Sequence, residues 1–361
     1  MDTGNRTGAL EPRMTVLDHT HPAPAPSRSA PTWAGRHRTL ITTSAVLAVL
    51  ALLAATPYVV NVTAVLTLQE VAAFAVFAVA ANLLIGQAGL VSFGQGVFFG
   101  LGAYTVTLGW EHAGLSFWEG FTLAPVLGAA AATLIGLVAL RARTLYFALI
   151  TLAFSQLFYQ LVEQNSGFTG GANGVFAPVV PAWMENPVDG YLTLLGIAVV
   201  ALTALRWIYA SNFGLLLRAS RENRARVQAL GASVYRLHLL AFTVSGAFCA
   251  LAGAMFVVYN QGSNAELFDW TTSGQAVLTS VIGGMFTFAG PVVGAFVYQF
   301  GHDWLVRYVS DWQLVLGAAL LLVVLARPDG LAGAVRLPRR WGASRRTAEP
   351  ADVDGSEDGD E

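Results

Sequence analysis

Long apolar runs organise this chain. No charged side chain occurs between Thr39 and Gln69, between Val71 and Trp110, or between Leu239 and Ala265, and none from Trp270 to His302. A helix crosses the hydrocarbon core with about 20 predominantly apolar residues, so each run holds one or two spans. Buried strands of a large α/β core are shorter and more punctuated. The pattern therefore predicts an all-α polytopic membrane protein with about ten transmembrane helices. The expected spans are Leu40–Val60, Val65–Gly86, Leu90–Trp110, Phe117–Leu140 and Leu145–Val162. They continue with Tyr191–Tyr209, Leu237–Tyr259, Thr272–Phe286, Gly290–Trp304 and Trp312–Ala326. The eighth and ninth are short and broken by glycine. A polar, glycine-rich connection runs from Glu163 to Asp189, and an arginine-rich stretch from Arg218 to Arg236.

Charge placement tests that count. Of the 361 residues, 12% are charged, about half the ~25% usual in soluble domains. Every one of the 20 basic residues is an arginine. Short cytoplasmic loops are enriched in Lys and Arg. With ten spans and a cytoplasmic N-terminus, Arg141, Arg143, Arg218, Arg221, Arg224, Arg226, Arg236 and Arg327 all fall inside. Glu111, Glu119, Glu163, Glu185, Asp189, Glu266, Asp269, Asp303 and Asp311 fall outside, and only Arg307 is misplaced. Both termini are therefore expected in the cytoplasm of a multi-pass plasma-membrane protein. Residues 1–38, with four prolines between Pro22 and Pro31, are expected as a disordered cytoplasmic tail. The transmembrane domain covers 39–327, with a cytoplasmic segment at 211–236, and a disordered acidic tail covers 328–361.

Several chemistries are excluded. A Walker A loop needs a lysine, and the chain has none. No CxxC, HExxH or Gly-x-Ser-x-Gly pattern occurs, and the six histidines lack metal-ligand spacing. No catalytic residue, metal, cofactor or nucleic-acid partner is expected; the solvent is a lipid bilayer. Intramembrane enzymes and proton-coupled carriers place ionisable residues deep in their spans. Here only Glu70 qualifies, and its place near the outer end of the second span is consistent with simple wetting. Energy for active transport would have to come from another subunit.

Three segments stand out. Asn82–Tyr104 carries six glycines, with Asn82, Gln87, Ser92 and Gln95 as its polar groups. Amides in lipid must face the bundle interior or water, so Gly86–Gln95 is expected to bend or to line a cavity; a solvated inner turn is the competing reading for Gln87. The stripes Ser92, Gly96, Gly100 and Gly246, Ala250, Gly253 are the small residues that let helices approach in lipid. The second segment, Phe168–Val175, holds Gly170, Gly171 and Gly174 in the longest outer loop. A flexible connector explains it, and a docking surface is the alternative. In the third, Phe213–Phe242, residues Arg218 to Leu230 read as one short helix, with Gly231 as a left-handed stop and Ser233 as the next N-cap. Such a helix either lies on anionic lipid or acts as a lever between spans and a cytoplasmic motor.

At these residues the chain resembles the LivM-type permease subunits of branched-chain amino acid ABC importers. The matching stretches are NLLIGQAGLVSFGQGVFFGLGAY, LYFALITLAFSQLFY, TGGANGV, NFGLLLRASRENRARVQALGASVYRLHLLAFTVSGAFCALAGAMF and VIGGMFTFAGPVVGAF, in family order across about 60–330. Related subunits for urea, amides and other amino acids look similar, and the long tails depart from the family pattern. The resemblance implies an ABC importer permease bundle that works by alternating access. Its implied partners are a second, LivH-like permease, two cytoplasmic ATP-binding subunits and an extracytoplasmic substrate-binding protein. It implies coupling to the ATPase through Arg218, Glu222, Asn223, Arg224, Ala229 and Gly231. It implies a translocation pathway near Asn82, Gln87, Ser92 and Gln95, with the glycine-proline break at Gly283, Gly284, Gly290 and Pro291. Thr169, Gly170, Gly171 and Asn173 are the candidate docking residues for the binding protein. A stand-alone channel or facilitator and a membrane scaffold are the competing classes.

Overall fold

The structure is a computed structural model that describes residues 51–142, 144–176 and 179–308, with 314, 315, 317, 318, 330 and 331 beyond them. The helical bundle is one compact unit that begins at Leu53. The predicted N-terminal tail, all but two residues of the predicted C-terminal tail, and most of the first and last expected spans lie outside the described residues. The principal helices are α1 (Val62–Asn82), α2 (Gln95–Ala113), α3 (Phe117–Ala139), α4 (Thr144–Gln164) and α5 (Pro187–Ala210). They continue with α6 (Asn212–Glu222), α7 (Arg224–Ala229), α8 (Val234–Asn260), α9 (Trp270–Gly283) and α10 (Gly290–Tyr308). The described β-structure is one antiparallel pair, β1 (Val175–Phe176) with β2 (Gly262–Ser263). Five helices among the described residues are long and apolar enough to cross a membrane: α1 with its extension to Ala88, α3, α4, α5 and α8.

Burial sorts these helices. From Val71 to Ala81 α1 is apolar all round, and 94% of the most apolar stretch of the helix is buried, as expected for a helix enclosed by protein. In α4 the figure is 22%, so most of that helix faces lipid or another chain. α8 lies at the centre and packs on α1, α2 and α3. Lipid supplies no hydrophobic drive between helices, so their approach rests on small residues. Gly102 of α2 sits against the Ala250 carbonyl, Gly253 of α8 against the Phe99 carbonyl, and Gly128 of α3 against Ala250 and Gly246. Of the two expected stripes, Gly246, Ala250 and Gly253 make these crossings, whereas Gly96 and Gly100 pack on the segment from Leu267 to Ser273.

Most expected spans match within a few residues, but the arch between the second and third differs. Helix α1 runs on through a π-helical turn, Leu83–Ala88, to Gly89 in left-handed conformation (φ 69°). The third helix starts at Gln95 instead of Leu90, because Gly94 ends a short non-helical stretch. Gln87 is only 3% exposed, so the solvated-turn reading is wrong.

Charge is divided between two sets of connections. Arg141, Arg206, Arg218, Arg221, Arg224, Arg226 and Arg236 belong to one, the arginine end, with Glu222 among them. Glu111, Glu119, Glu163, Asp189, Glu266 and Asp303 belong to the other, the acidic end, with Arg307 beside Asp303. Contacts fix both ends. Tyr235 Oη donates to Leu137 O at the arginine end (3.2 Å). Gln69 Nε2 donates to Pro187 O (2.8 Å) and Gln156 Nε2 to Asp269 Oδ2 (2.8 Å) at the acidic end.

Candidate functional site

The arginine end carries the segment that the sequence read as one helix from Arg218 to Leu230. That reading needs correction, because the structure has two helices. α6 starts earlier, where Ser211 accepts from Gly214 N, and it ends at Glu222. Asn223 then leaves helical geometry (φ −154°, ψ 101°), and its Oδ1 accepts from Arg226 N at 2.9 Å, capping α7. Asparagine competes for backbone groups through its short side chain, which suits a cap better than a helix interior. Gly231 stops α7 at φ 83°, with Ala232 N reaching Val227 O. Ser233 then caps α8 through Arg236 N. These two features follow the sequence reading. Replacing Asn223 with alanine should cost α7 about 1 kcal/mol. Amide exchange across Arg224–Ala229 should therefore speed up, while N223D, which can still cap, should leave it near wild type.

α6 is fixed to the bundle. Leu217 is fully buried, and Ser220 Oγ meets His238 Nε2 of α8 at 3.1 Å. Arg221, which the sequence reading did not single out as a site residue, reaches furthest. Its Nη1 donates to Gly86 O in the π-turn, its alkyl stem covers Gly89, and its guanidinium lies 4.5 Å from the Phe286 ring centroid. One side chain thus touches both the arch after α1 and the break between α9 and α10. The spacing of partners 135 and 65 residues away hides such a contact from any local pattern. In α7, by contrast, Val227 is buried while Arg224, Arg226, Ala229 and Leu230 are exposed; Leu230 reaches 76%. Arg218, Glu222 and Asn223 are also exposed.

Of the predicted pathway residues, the structure brings Asn82 to the glycine break, while Gln95 contacts Ser245 and Cys249, and Ser92 contacts Gly94. Asn82 Nδ2 donates to Met285 O at 3.0 Å, joining the arch to the glycine break. A Cβ on Gly86 would overlap the same carbonyl, and one on Gly283 would overlap Gly290 O. Gly284 adopts φ 109°, a conformation open chiefly to glycine. Pro291 stands at the first turn of α10, where a missing N–H costs nothing. Gln95 Oε1 accepts from Ser245 Oγ and Cys249 Sγ, each at 3.2 Å, and Ser92 Oγ accepts from Gly94 N. All four polar candidates of this arch are at most 3% exposed. Asn82 Oδ1, Gln87 Oε1 and Gln95 Nε2 have no hydrogen-bond partner among the described residues.

Specific contacts hold the Phe168–Val175 segment, which corrects the flexible-connector reading. Thr169 Oγ1 donates to Val162 O at 2.5 Å, and Tyr104 Oη donates to Thr169 O. Gly170, Gly171 and Gly174 all have positive φ, and Gly174 lies against Ser263 O beside the β1–β2 pair. Thr169 and Gly171 are buried by these contacts, whereas Asn173 is exposed.

A polar cluster that the sequence showed only as Glu70 lies nearer the acidic end. Glu70 hydrogen-bonds the side chains of Gln299 and Tyr259, with Asp303 close by. Asp303 Oδ2 accepts from Thr67 Oγ1 at 2.6 Å. Glu70 is half-buried and borders a cavity of about 520 Å³.

These features define an all-helical, multi-pass membrane protein whose broken helices meet a basic helical pair at one end and an acidic cavity at the other. The chain belongs to the family described as branched-chain amino acid transport system / permease component, whose model matches residues 63–325. It is 29% identical over 277 residues to the high-affinity branched-chain amino acid transport system permease protein LivM of Escherichia coli (strain K12). That match covers 69% of this chain and 65% of the relative, so the chain spans about two thirds of the relative's length. The Salmonella typhimurium protein of the same name gives the same figures. The autoinducer 2 import system permease protein LsrC of Photorhabdus laumondii is 29% identical over 156 residues, covering 40% of this chain and 44% of the relative. No solved structure matches the chain.

Proposed function

We propose that the chain is one of two permease subunits in an ATP-driven importer of branched-chain amino acids. It has ten spans and cytoplasmic termini, and no nucleotide site of its own. An extracytoplasmic binding protein delivers substrate at the acidic end, near Thr169–Asn173. Two ATPases grip segment 211–236 at the arginine end, and a LivH-like permease completes the passage. The names of the relatives support the substrate class and do not favour urea or an amide. The gathering of arginine at one end supports the orientation.

The observation that carries the mechanical part is Arg221. α7 presents Arg226, Ala229 and Leu230 outward for a partner, while α6 is seated on the bundle. A push on α7 passes through the Asn223 hinge to α6, and through Arg221 to Gly86 and Phe286 together. Those two segments hold Asn82 against Met285 across the arch. Buried polar atoms without partners cost about 1–3 kcal/mol each. The amide atoms of Asn82, Gln87 and Gln95 that lack partners among the described residues would be better paired in another arrangement, which suits a region with two packings. The test is reconstitution in liposomes with the sister permease, the ATPases and loaded binding protein. Leucine should accumulate only with ATP on the side where 211–236 is exposed and the binding protein on the other. ATP hydrolysis by the purified chain alone, or uptake without the ATPases, would overturn the proposal.

A further inference from the structure

An open cavity of about 520 Å³ near the acidic end is bordered by α1, α2, α4, α8, α9 and the connection between α8 and α9. Its size lies within the range that takes a small ligand. Two kinds of surface meet there. On one side stand the carboxylates of Glu70, Glu266 and Asp269; none of the arginines or histidines among the described residues lines the space. On the other stand Phe74, Phe99 and Phe256, whose rings contact one another with centroids 5.5–6.4 Å apart. Asn264 borders the same space and keeps a buried side-chain oxygen without a partner among the described residues. A carboxylate within a span is costly and marks a functional site by default, and Glu70 has no cationic partner among the described residues to offset that cost.

We infer that this cavity is a subsite for an amino acid on its way through the protein. The primary ammonium group sits among Glu70, Glu266 and the Asn264 oxygen, and the apolar side chain lies on the phenylalanine triangle. The inference rests on the proposed import of amino acids and adds a place where this chain itself touches substrate. An ammonium group offers three donors to an acceptor-rich wall, and ionised partners make the strong hydrogen bonds. The substrate's own carboxylate finds the Thr271 hydroxyl there, since Thr272 Oγ1 already donates to Glu266 O (3.0 Å), and it is repelled by the three acids. Occupancy is therefore weak, as release to the next stage of a passage requires. Asp269 is also structural, since it caps α9 through Thr271 N (2.8 Å) and holds Gln156. It is the wrong residue to test first.

The test uses the complete reconstituted importer. Glu70→Gln keeps the shape of the side chain, removes its charge and exchanges one acceptor oxygen for an amide donor. Maximal leucine uptake should fall about tenfold, the equivalent of one strong interaction, while the concentration of loaded binding protein at half-maximal rate stays within about twofold. Unchanged maximal uptake would overturn the inference. Should Glu70→Gln fail to assemble, the exposed Glu266→Gln serves, with a loss of about threefold expected and no loss refuting. Replacing sodium and potassium with a bulky organic cation supplies the other arm. If wild-type uptake collapses under that exchange and the variant no longer responds, the carboxylates hold an inorganic cation and the ammonium assignment is wrong. A wild-type importer that moves no leucine would sink the proposed function itself, before any substitution is made.

Discussion

Replacing Gly253 with valine should leave almost no folded protein in the membrane. A Cβ at this position falls on the Phe99 carbonyl, which is helix backbone and cannot rotate away. α2 and α8 would have to separate, and they are locked a second time at Gly102 against Ala250. Ala250 is also the contact of Gly128, so a shift of α8 disturbs α3 as well. Overpacking a core usually costs about 1–3 kcal/mol. Here one substitution strains two helix pairs at three contacts, so the cost should exceed that range. Even Gly253→Ala should lower the thermal midpoint of the purified chain and reduce the monodisperse fraction on size exclusion. Gly196→Ala, in α5, is the control, since a methyl group there meets none of the described residues within 4 Å. It should behave as wild type. If Gly253→Ala matched that control, the close crossing of α2 and α8 would be refuted.

Arg221→Met should separate ATP turnover from uptake. The methionine keeps an apolar stem over Gly89 but loses the donor to Gly86 O and the charge facing the Phe286 ring. Arg221 is itself partly in water, so the effect on folding should be small. A cation–aromatic contact of this kind contributes about 0.5–1 kcal/mol at an exposed site, and a hydrogen bond about as much. Their joint loss reaches the ~1.4 kcal/mol that corresponds to tenfold. The expected result is leucine uptake reduced about tenfold in the reconstituted importer, with ATP hydrolysis retained. Arg221→Lys should fall between, because a lysine keeps the charge and loses the planar fork. Equal loss of hydrolysis and uptake would mean that Arg221 supports ATPase docking instead of passing motion onward.

Much of this architecture was legible before the structure. Charge-free runs placed the helices well wherever a run was closed by a polar residue or a glycine, as at Phe117–Ala139 or Trp270–Gly283. Glycine spacing gave the packing faces, because in lipid few other residues allow backbones so close. Three things were hidden. The π-turn at Leu83–Ala88 depends on Asn82 and Gly86 meeting Met285, about 200 residues away. The break at Asn223 sits among good helix formers, and only its bond to Arg226 N shows that it caps a second helix. Glu70 was readable as a lone acid near a span end. Its partners Gln299 and Tyr259 belong to α10 and α8, and neither hydrophobic periodicity nor charge counting brings those helices to it.

The brevity of α9 has an electrical consequence. Its 14 residues reach about 21 Å at 1.5 Å each, against about 30 Å of hydrocarbon, and the connection from Gln261 to Asp269 fills the remaining depth with irregular backbone. Where such backbone lines an indentation open to water, the membrane voltage drops over the thinner barrier that is left. An ion crossing there would meet about 2.3 kcal/mol per 100 mV concentrated into that short distance. A zwitterion, with no net charge, would cross the same gradient without electrical work.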